Sequence, residues 1–236
     1  MSFPKEPLEA ILEDLVFRRS QPEDPLDLTD EELDRYQAAL DRYQDFLGVE
    51  FPADYCEVAK RYSGLGEFGR LVMGRPRRFD TAMLVRVGEF IPIYGEPREC
   101  VVEFHRESLR LGLERSWPNL AWLDQLIPFA NERSWQYSYC FDFAYDKGNP
   151  PIVWIDHQMI GDVEFDSGIE FVARDFREFL SLIVERYSIV TDADEIEFAV
   201  EDVREEKIEA LDREPWVRSD EHRAWTAHRD KILGLS

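Results

Sequence analysis

The residues that could carry chemistry in this chain are few and gather around one predicted hairpin. His157 directly follows Asp156, and a neighbouring carboxylate can orient a histidine as a general base. A catalytic pair of this kind also needs a nucleophile, but no G-x-S-x-G motif occurs in the sequence. We therefore interpret His157 as a residue of the turn that follows a strand.

A divalent cation could be bound by three acids of the same region, which are Asp142, Asp156 and Asp162. Acids at such positions more often cap turns or lie on solvated strand faces. The four histidines have no partner at a metal-ligand spacing, and no phosphate-binding glycine motif is present. We therefore predict no enzymatic activity, no cofactor and no required metal.

Charge restricts the class of partner. The 236 residues include 28 Lys and Arg against 50 Asp and Glu, which gives a net charge of −22. Such a surface repels nucleic acid and anionic membranes and favours a basic protein partner. Solubility alone is the alternative explanation, and the charge does not separate the two.

The cellular compartment of the protein is predicted from three further features of the sequence. No apolar run approaches the roughly 20 residues that span a bilayer. The first residues lack the pattern of a secretory signal. The cysteines, Cys56, Cys100 and Cys140, are odd in number and widely spaced, which favours buried free thiols over a disulfide framework. Together these features predict a cytoplasmic protein.

Hydrophobic periodicity and capping signals predict the elements. Helices are expected at 7–18, 30–47, 53–62, 98–115 and 175–187. The apolar residues assigned to the core in the 98–115 helix are Val101, Phe104, Leu109 and Leu113. Strands are expected within 68–94 and 137–165, forming one sheet. The short connection after residue 142 requires antiparallel pairing, so the predicted fold is α+β, a mainly antiparallel sheet flanked by helices.

A shift in composition divides the chain after residue 188. Residues 1–188 are predicted to form the main domain, including the N-terminal helix. Residues 189–236 are predicted to be an acidic helical extension that packs on this core. The extension has too few apolar residues for a core of its own. Its large apolar side chains, Trp216, Trp225 and Ile232, are therefore expected to be buried against the main domain.

Three motifs, in this order, resemble the SMI1/KNR4 (SUKH) superfamily. The first is Leu47-Gly48-Val49-Glu50-Phe51-Pro52-Ala53-Asp54-Tyr55, a helix end followed by a step into a second helix. The second is Leu126-Ile127-Pro128-Phe129-Ala130, and the third is Pro151-Ile152-Val153-Trp154-Ile155-Asp156-His157. A Phe-rich helix, from Phe171 to Leu180, corresponds to the closing segment of the family. The resemblance covers about residues 29 to 187, and Ser63 stands where the family usually has Asn.

The resemblance implies a fold and a binding role. In bacteria it implies immunity proteins that bind and block cognate toxins, many of which are nucleases. In fungi it implies a regulatory adaptor, and the sequence does not separate these roles. We predict a non-catalytic immunity protein with a basic toxin as its partner, and the oligomeric state stays open.

The predicted binding surface lies around the central hairpin. The aromatic residues Tyr137, Tyr139, Phe141 and Phe143 alternate with Ser138, Cys140, Asp142 and Ala144, so one face of the strand is expected to be solvated. The acids expected to point to solvent there are Asp142, Asp156, Asp162 and Glu164. The aromatic anchors expected among them are Trp135, Tyr137 and Tyr145.

Overall fold

The computed structural model describes residues 29–62, 69–73, 83–87, 90, 91, 93, 96–99, 101–114, 121–131, 137–156, 168–185 and 220–234. Its helices are α1 (Asp30–Leu47), α2 (Ala53–Tyr62), α3 (Val101–Glu114), α4 (Phe176–Ser181) and α5 (Asp220–Leu233). Its strands are β1 (Gly69–Met73), β2 (Met83–Val87), β3 (Leu126–Asn131), β4 (Tyr137–Asp142), β5 (Ile152–Asp156), β6 (Ile169–Ala173) and β7 (Ile183–Glu185).

Local sequence signals determine both ends of α1. Thr29 and Glu32 form a capping box, in which the Thr29 hydroxyl accepts from the Glu32 N–H and the Glu32 carboxylate accepts from the Thr29 N–H. At the other end Gly48 adopts the left-handed conformation with φ 65°, and its N–H donates to the Gln44 carbonyl. The predictions of helices at 30–47 and 53–62 are both confirmed.

The strands form two antiparallel sheets. The larger has the order β3-β4-β5-β6, and the smaller has the order β2-β1-β7. An isolated bridge joins Phe90 to Ala130 of β3. The predicted α+β class with antiparallel pairing is confirmed, but the prediction of one sheet from 68–94 and 137–165 is wrong. Strand β1 pairs with β2 on one side and with β7 on the other, and neither β1 nor β2 joins the β4–β5 hairpin.

Helices or turns cover both faces of the larger sheet. We call the side that carries Tyr139, Phe141 and Trp154 the aromatic face, which packs against α1, α2 and α4. The opposite side, with Cys140, Asp142 and Val153, is called the carboxylate face. Residues Trp122 and Leu123 cover the carboxylate face together with α5.

Three predicted elements differ from the structure. Helix α4 ends at Ser181, and the next residues form strand β7, so the helix predicted to 187 is too long. Residues 169–173 are strand β6, where the Phe-rich helix was expected to begin at Phe171. Strand β3 was not predicted as a strand at all. The helix at 7–18, residues 157–165 of the predicted strand region and the boundary at 188 lie outside the described residues, as does Trp216.

Candidate functional site

Asp142 was predicted to point to solvent, and the structure shows that this is wrong. Its side chain is 0% exposed. The Trp122 indole donates to Oδ1 at 2.9 Å, and the Trp225 indole donates to Oδ2 at 2.9 Å. The backbone N–H groups of Ala144 and Tyr145 also donate to Oδ1, at 3.2 and 3.3 Å. This carboxylate therefore fastens α5 to the sheet and is inaccessible to a partner.

Burial raises the pKa of Asp142 above its ordinary value, and the indole and backbone N–H donors oppose that shift only in part. The alternation of the strand was read correctly, since Asp142 does lie opposite the aromatic side chains. The error arose because that opposite face is covered by α5, whose Trp225 lies 83 residues further along the chain. No local pattern in residues 137–144 indicates this cover.

Asp156 is also buried, so its predicted exposure is wrong as well. It is the direct cross-strand neighbour of Tyr137, on the aromatic face, at the end of the hairpin remote from Asp142. The two carboxylates therefore lie on opposite faces of the sheet and cannot share a cation. No group of three or more potential metal ligands occurs within the described residues.

The predicted aromatic anchors have separate environments. Tyr137 is half-buried, and its ring lies 5.0 Å from that of Trp154. Tyr145 is 38% exposed and meets the imidazole of His228 on α5 edge to face at 5.2 Å. Trp135, Asp162 and Glu164 lie outside the described residues. Of the predicted binding residues that the structure describes, Tyr145 alone is exposed.

An acidic surface lies on α1. This helix carries six acids against two arginines. Four aspartates follow one another at spacings of four, seven and four residues, which puts them on one side of the helix. All four are exposed: Asp30, Asp34, Asp41 and Asp45. The opposite side carries the buried Leu40 and Tyr43, so the stripe faces solvent.

Exposed apolar side chains occur on both α1 and α3. Phe46 is 41% exposed and stacks on Tyr43, with ring centroids 6.2 Å apart. The Tyr43 hydroxyl bonds to Glu103 of α3 at 3.2 Å, which joins the two helices. The next residue, Phe104, is 68% exposed, and Leu111 on the same side of α3 is 54% exposed.

Sequence reasoning missed the exposed aspartates of α1 and assigned Phe104 to the core, which is wrong. The buried side of α3 carries Val102, His105 and Leu109, which are spaced three and four residues apart. That periodicity was present in the sequence and could have placed Phe104 outside.

The model of the SMI1/KNR4 family (SUKH-1) matches residues 29–182. This match covers more than half of the chain. The chain belongs to the SUKH-1 family. Comparison with curated protein sequences finds no match.

The SUKH-1 motif residues that the structure describes build the fold. Phe51 and Tyr55 pack on Phe141, with ring centroids 5.8 and 5.1 Å away. Asp54 forms a bidentate ion pair with Arg177 of α4, at 2.8 and 2.9 Å. These contacts position α2 and α4 on the aromatic face, so the family signature specifies architecture.

Helix α5 lies beyond the SUKH-1 match. Its Arg229 is buried, donates to the Ile169 carbonyl at 2.7 Å and lies over the Trp225 ring at 5.5 Å. Glu170 lies 3.6 Å from the same guanidinium. The family core is thus completed on one face by a helix that the match does not include. Among the described residues, no helix is long and apolar enough to cross a bilayer.

Proposed function

We propose that this SUKH-1 protein is a non-catalytic binding protein that neutralises a cognate toxin as an immunity protein. The observation that carries the proposal is the solvent-facing row of aspartates on α1, in a chain with a net charge of −22. The family membership is consistent with an immunity role. The partner that fits such a surface is a basic protein domain, acting in the cytoplasm.

Charge mimicry supplies the physical reason. A toxin that cleaves nucleic acid needs Lys and Arg to bind phosphates, so its substrate site is basic. A row of carboxylates can occupy that site, exclude the substrate and speed association by electrostatic steering. The inhibitor needs no catalytic residue for this, because blocking access is sufficient.

Co-expression tests the proposal. We expect a toxin gene to lie directly upstream of the gene for this chain, and the toxin domain that it encodes is the probe. We expect the chain to restore growth of cells that express the toxin domain and to bind it in a purified mixture. The association rate should fall at least tenfold as salt rises from 20 to about 500 mM, because screening shortens the range of the carboxylates to a few ångströms.

A chain that neither binds the toxin nor protects the cells would contradict the proposal. It would favour the regulatory adaptor instead. Binding with a rate that does not respond to salt would leave the immunity role standing and remove the electrostatic argument.

A further inference from the structure

We infer that the carboxylate face of the larger sheet is a recognition site for a helix that presents a tryptophan and an arginine one turn apart. In this chain α5 fills the site as a built-in ligand, and a helix of the same chemistry from a partner protein can displace it. The inference is independent of the proposed function, which rests on the aspartates of α1.

Helix α5 docks through one row of side chains. Trp225, Arg229 and Leu233 are buried and stand four residues apart, so they follow one side of the helix. The other residues of α5 are exposed or half-buried. A 14-residue helix is marginally stable by itself in water, so α5 depends on this row for its structure. Anchors spaced one turn apart are the form in which a helix binds to the surface of another protein.

Directional bonds determine which side chains the carboxylate face accepts. The Trp225 indole donates to Oδ2 of Asp142 at 2.9 Å. One turn further along, the Arg229 guanidinium donates at 2.7 Å to the Ile169 carbonyl of the edge strand β6. An aliphatic side chain in place of Trp225 could cover the face but would leave Oδ2 without its donor. The face therefore selects an indole N–H followed by a guanidinium.

The acceptors belong to the SUKH-1 core, whereas α5 does not. Asp142 and Ile169 both lie within the match of residues 29–182, and α5 begins beyond it. When α5 is released, Oδ1 of Asp142 keeps the Trp122 indole and two backbone N–H groups. Oδ2 then has no donor left among the described residues. The released face therefore offers an open carboxylate oxygen to an incoming helix.

One imidazole of α5 is left unsatisfied when the helix docks. His228 meets the Tyr145 ring edge to face at 5.2 Å, and its Nε2 is buried with no hydrogen-bond partner in the described part of the chain. A buried polar atom without a partner costs free energy. A helix that keeps the tryptophan and the arginine but has an apolar residue at this position avoids that cost, so it can compete with α5 for the face.

Peptide binding to the full-length chain tests the inference. The probe is a fluorescent synthetic peptide of residues 219–236, and its affinity is measured by anisotropy. The receptor is the chain with Trp225→Phe, whose own α5 lacks the indole and competes less. One hydrogen bond to a charged group changes affinity roughly 10- to 100-fold. We therefore expect the variant chain to bind the peptide more tightly than wild type does, by about that factor.

Three controls show whether the indole and Asp142 are responsible. The peptide with Trp225→Phe should bind the variant chain more weakly by the same factor. The peptide with Lys231→Gln, an exposed position, should bind within about 2-fold of the unaltered peptide. Adding Asp142→Asn to the variant chain should remove the preference between the tryptophan and phenylalanine peptides, because the amide oxygen stays with the Oδ1 donors.

Equal binding of the tryptophan and phenylalanine peptides, or equal binding of the peptide by wild type and the variant chain, would overturn the inference. Hydrogen exchange of wild type provides a second test that needs no substitution. The amides of α5 should exchange at least about tenfold faster than those of β4 and β5, because the helix opens while the sheet stays folded. Exchange of α5 at the rate of β5 would mean that the helix leaves only when the whole protein unfolds, and the inference would be wrong.

Discussion

On one face of the four-stranded sheet the core consists of interlocking aromatic rings, whereas on the other face it is centred on a carboxylate. Phe141 on the aromatic face has the rings of Phe129, Tyr55 and Phe176 within 4.4 to 6.0 Å. The next residue, Asp142, accepts hydrogen bonds from two tryptophans on the carboxylate face. Adjacent residues of one strand therefore stabilise the fold by different means.

The two faces of the larger sheet differ in the kind of residue that must pack against them. The rings on the aromatic face come from α1, α2, α4, the strands and the segments beside them, all within the SUKH-1 match. The carboxylate face needs Trp225 from α5, beyond the match. Hydrophobic burial is non-directional, whereas a buried carboxylate is tolerated only if specific donors reach it. We therefore expect the protein to lose stability when side-chain volume is removed from the aromatic face. On the carboxylate face, we expect stability to fall when hydrogen-bond donors are removed.

The largest effect is expected for Phe141→Ala. Removing this ring leaves a cavity among closely packed aromatic neighbours and should lower the free energy of unfolding by about 3–5 kcal/mol. Urea denaturation measures the loss. Phe104→Ala is the control, since its side chain is 68% exposed, and it should change stability by less than about 0.5 kcal/mol. A loss below about 1 kcal/mol for Phe141→Ala would mean that the aromatic face repacks freely.

A smaller loss of stability is expected when the indole donors on the carboxylate face are removed, and the loss should differ between Trp225 and Trp122. Trp225→Phe removes the one donor to Oδ2 among the described residues and should cost about 2–3 kcal/mol. Trp122→Phe should cost about 1 kcal/mol, because Oδ1 keeps the N–H groups of Ala144 and Tyr145. Both losses are measured by urea denaturation at pH 7. Equal losses would show that the two oxygens are not distinguished by their donors.

The smallest effect concerns pH. Because burial raises the pKa of Asp142, the folded protein keeps this proton at pH values where the unfolded chain, with a pKa near 4, has lost it. Raising the pH from about 4 should therefore reduce the stability of wild type relative to Asp142→Asn until the raised pKa is passed. Urea denaturation of both proteins from pH 4 to 7 measures this difference. A difference that instead favours wild type as pH rises would show that the N–H donors outweigh burial.

Elements with strong local signals were predicted to the residue, and elements without them were not. The capping box at Thr29 and the left-handed Gly48 fix the bounds of α1. Strand β3 was missed because Pro128 interrupts its pattern, yet β3 is an edge strand of the sheet, where a missing N–H is tolerated. Strand β7 has three residues and forms by pairing with β1, more than 100 residues earlier in the chain.

The sequence by itself determined the family, the α+β class, the helices α1 and α2 and the net negative charge. Caps, periodicity and charge are properties of neighbouring residues or of the whole composition, so they can be read without coordinates. Only the tertiary structure decided which acids and rings are accessible. It buries Asp142 under a helix 83 residues further on and leaves Phe104 in solvent, because exposure depends on what packs against a face and not on the face alone.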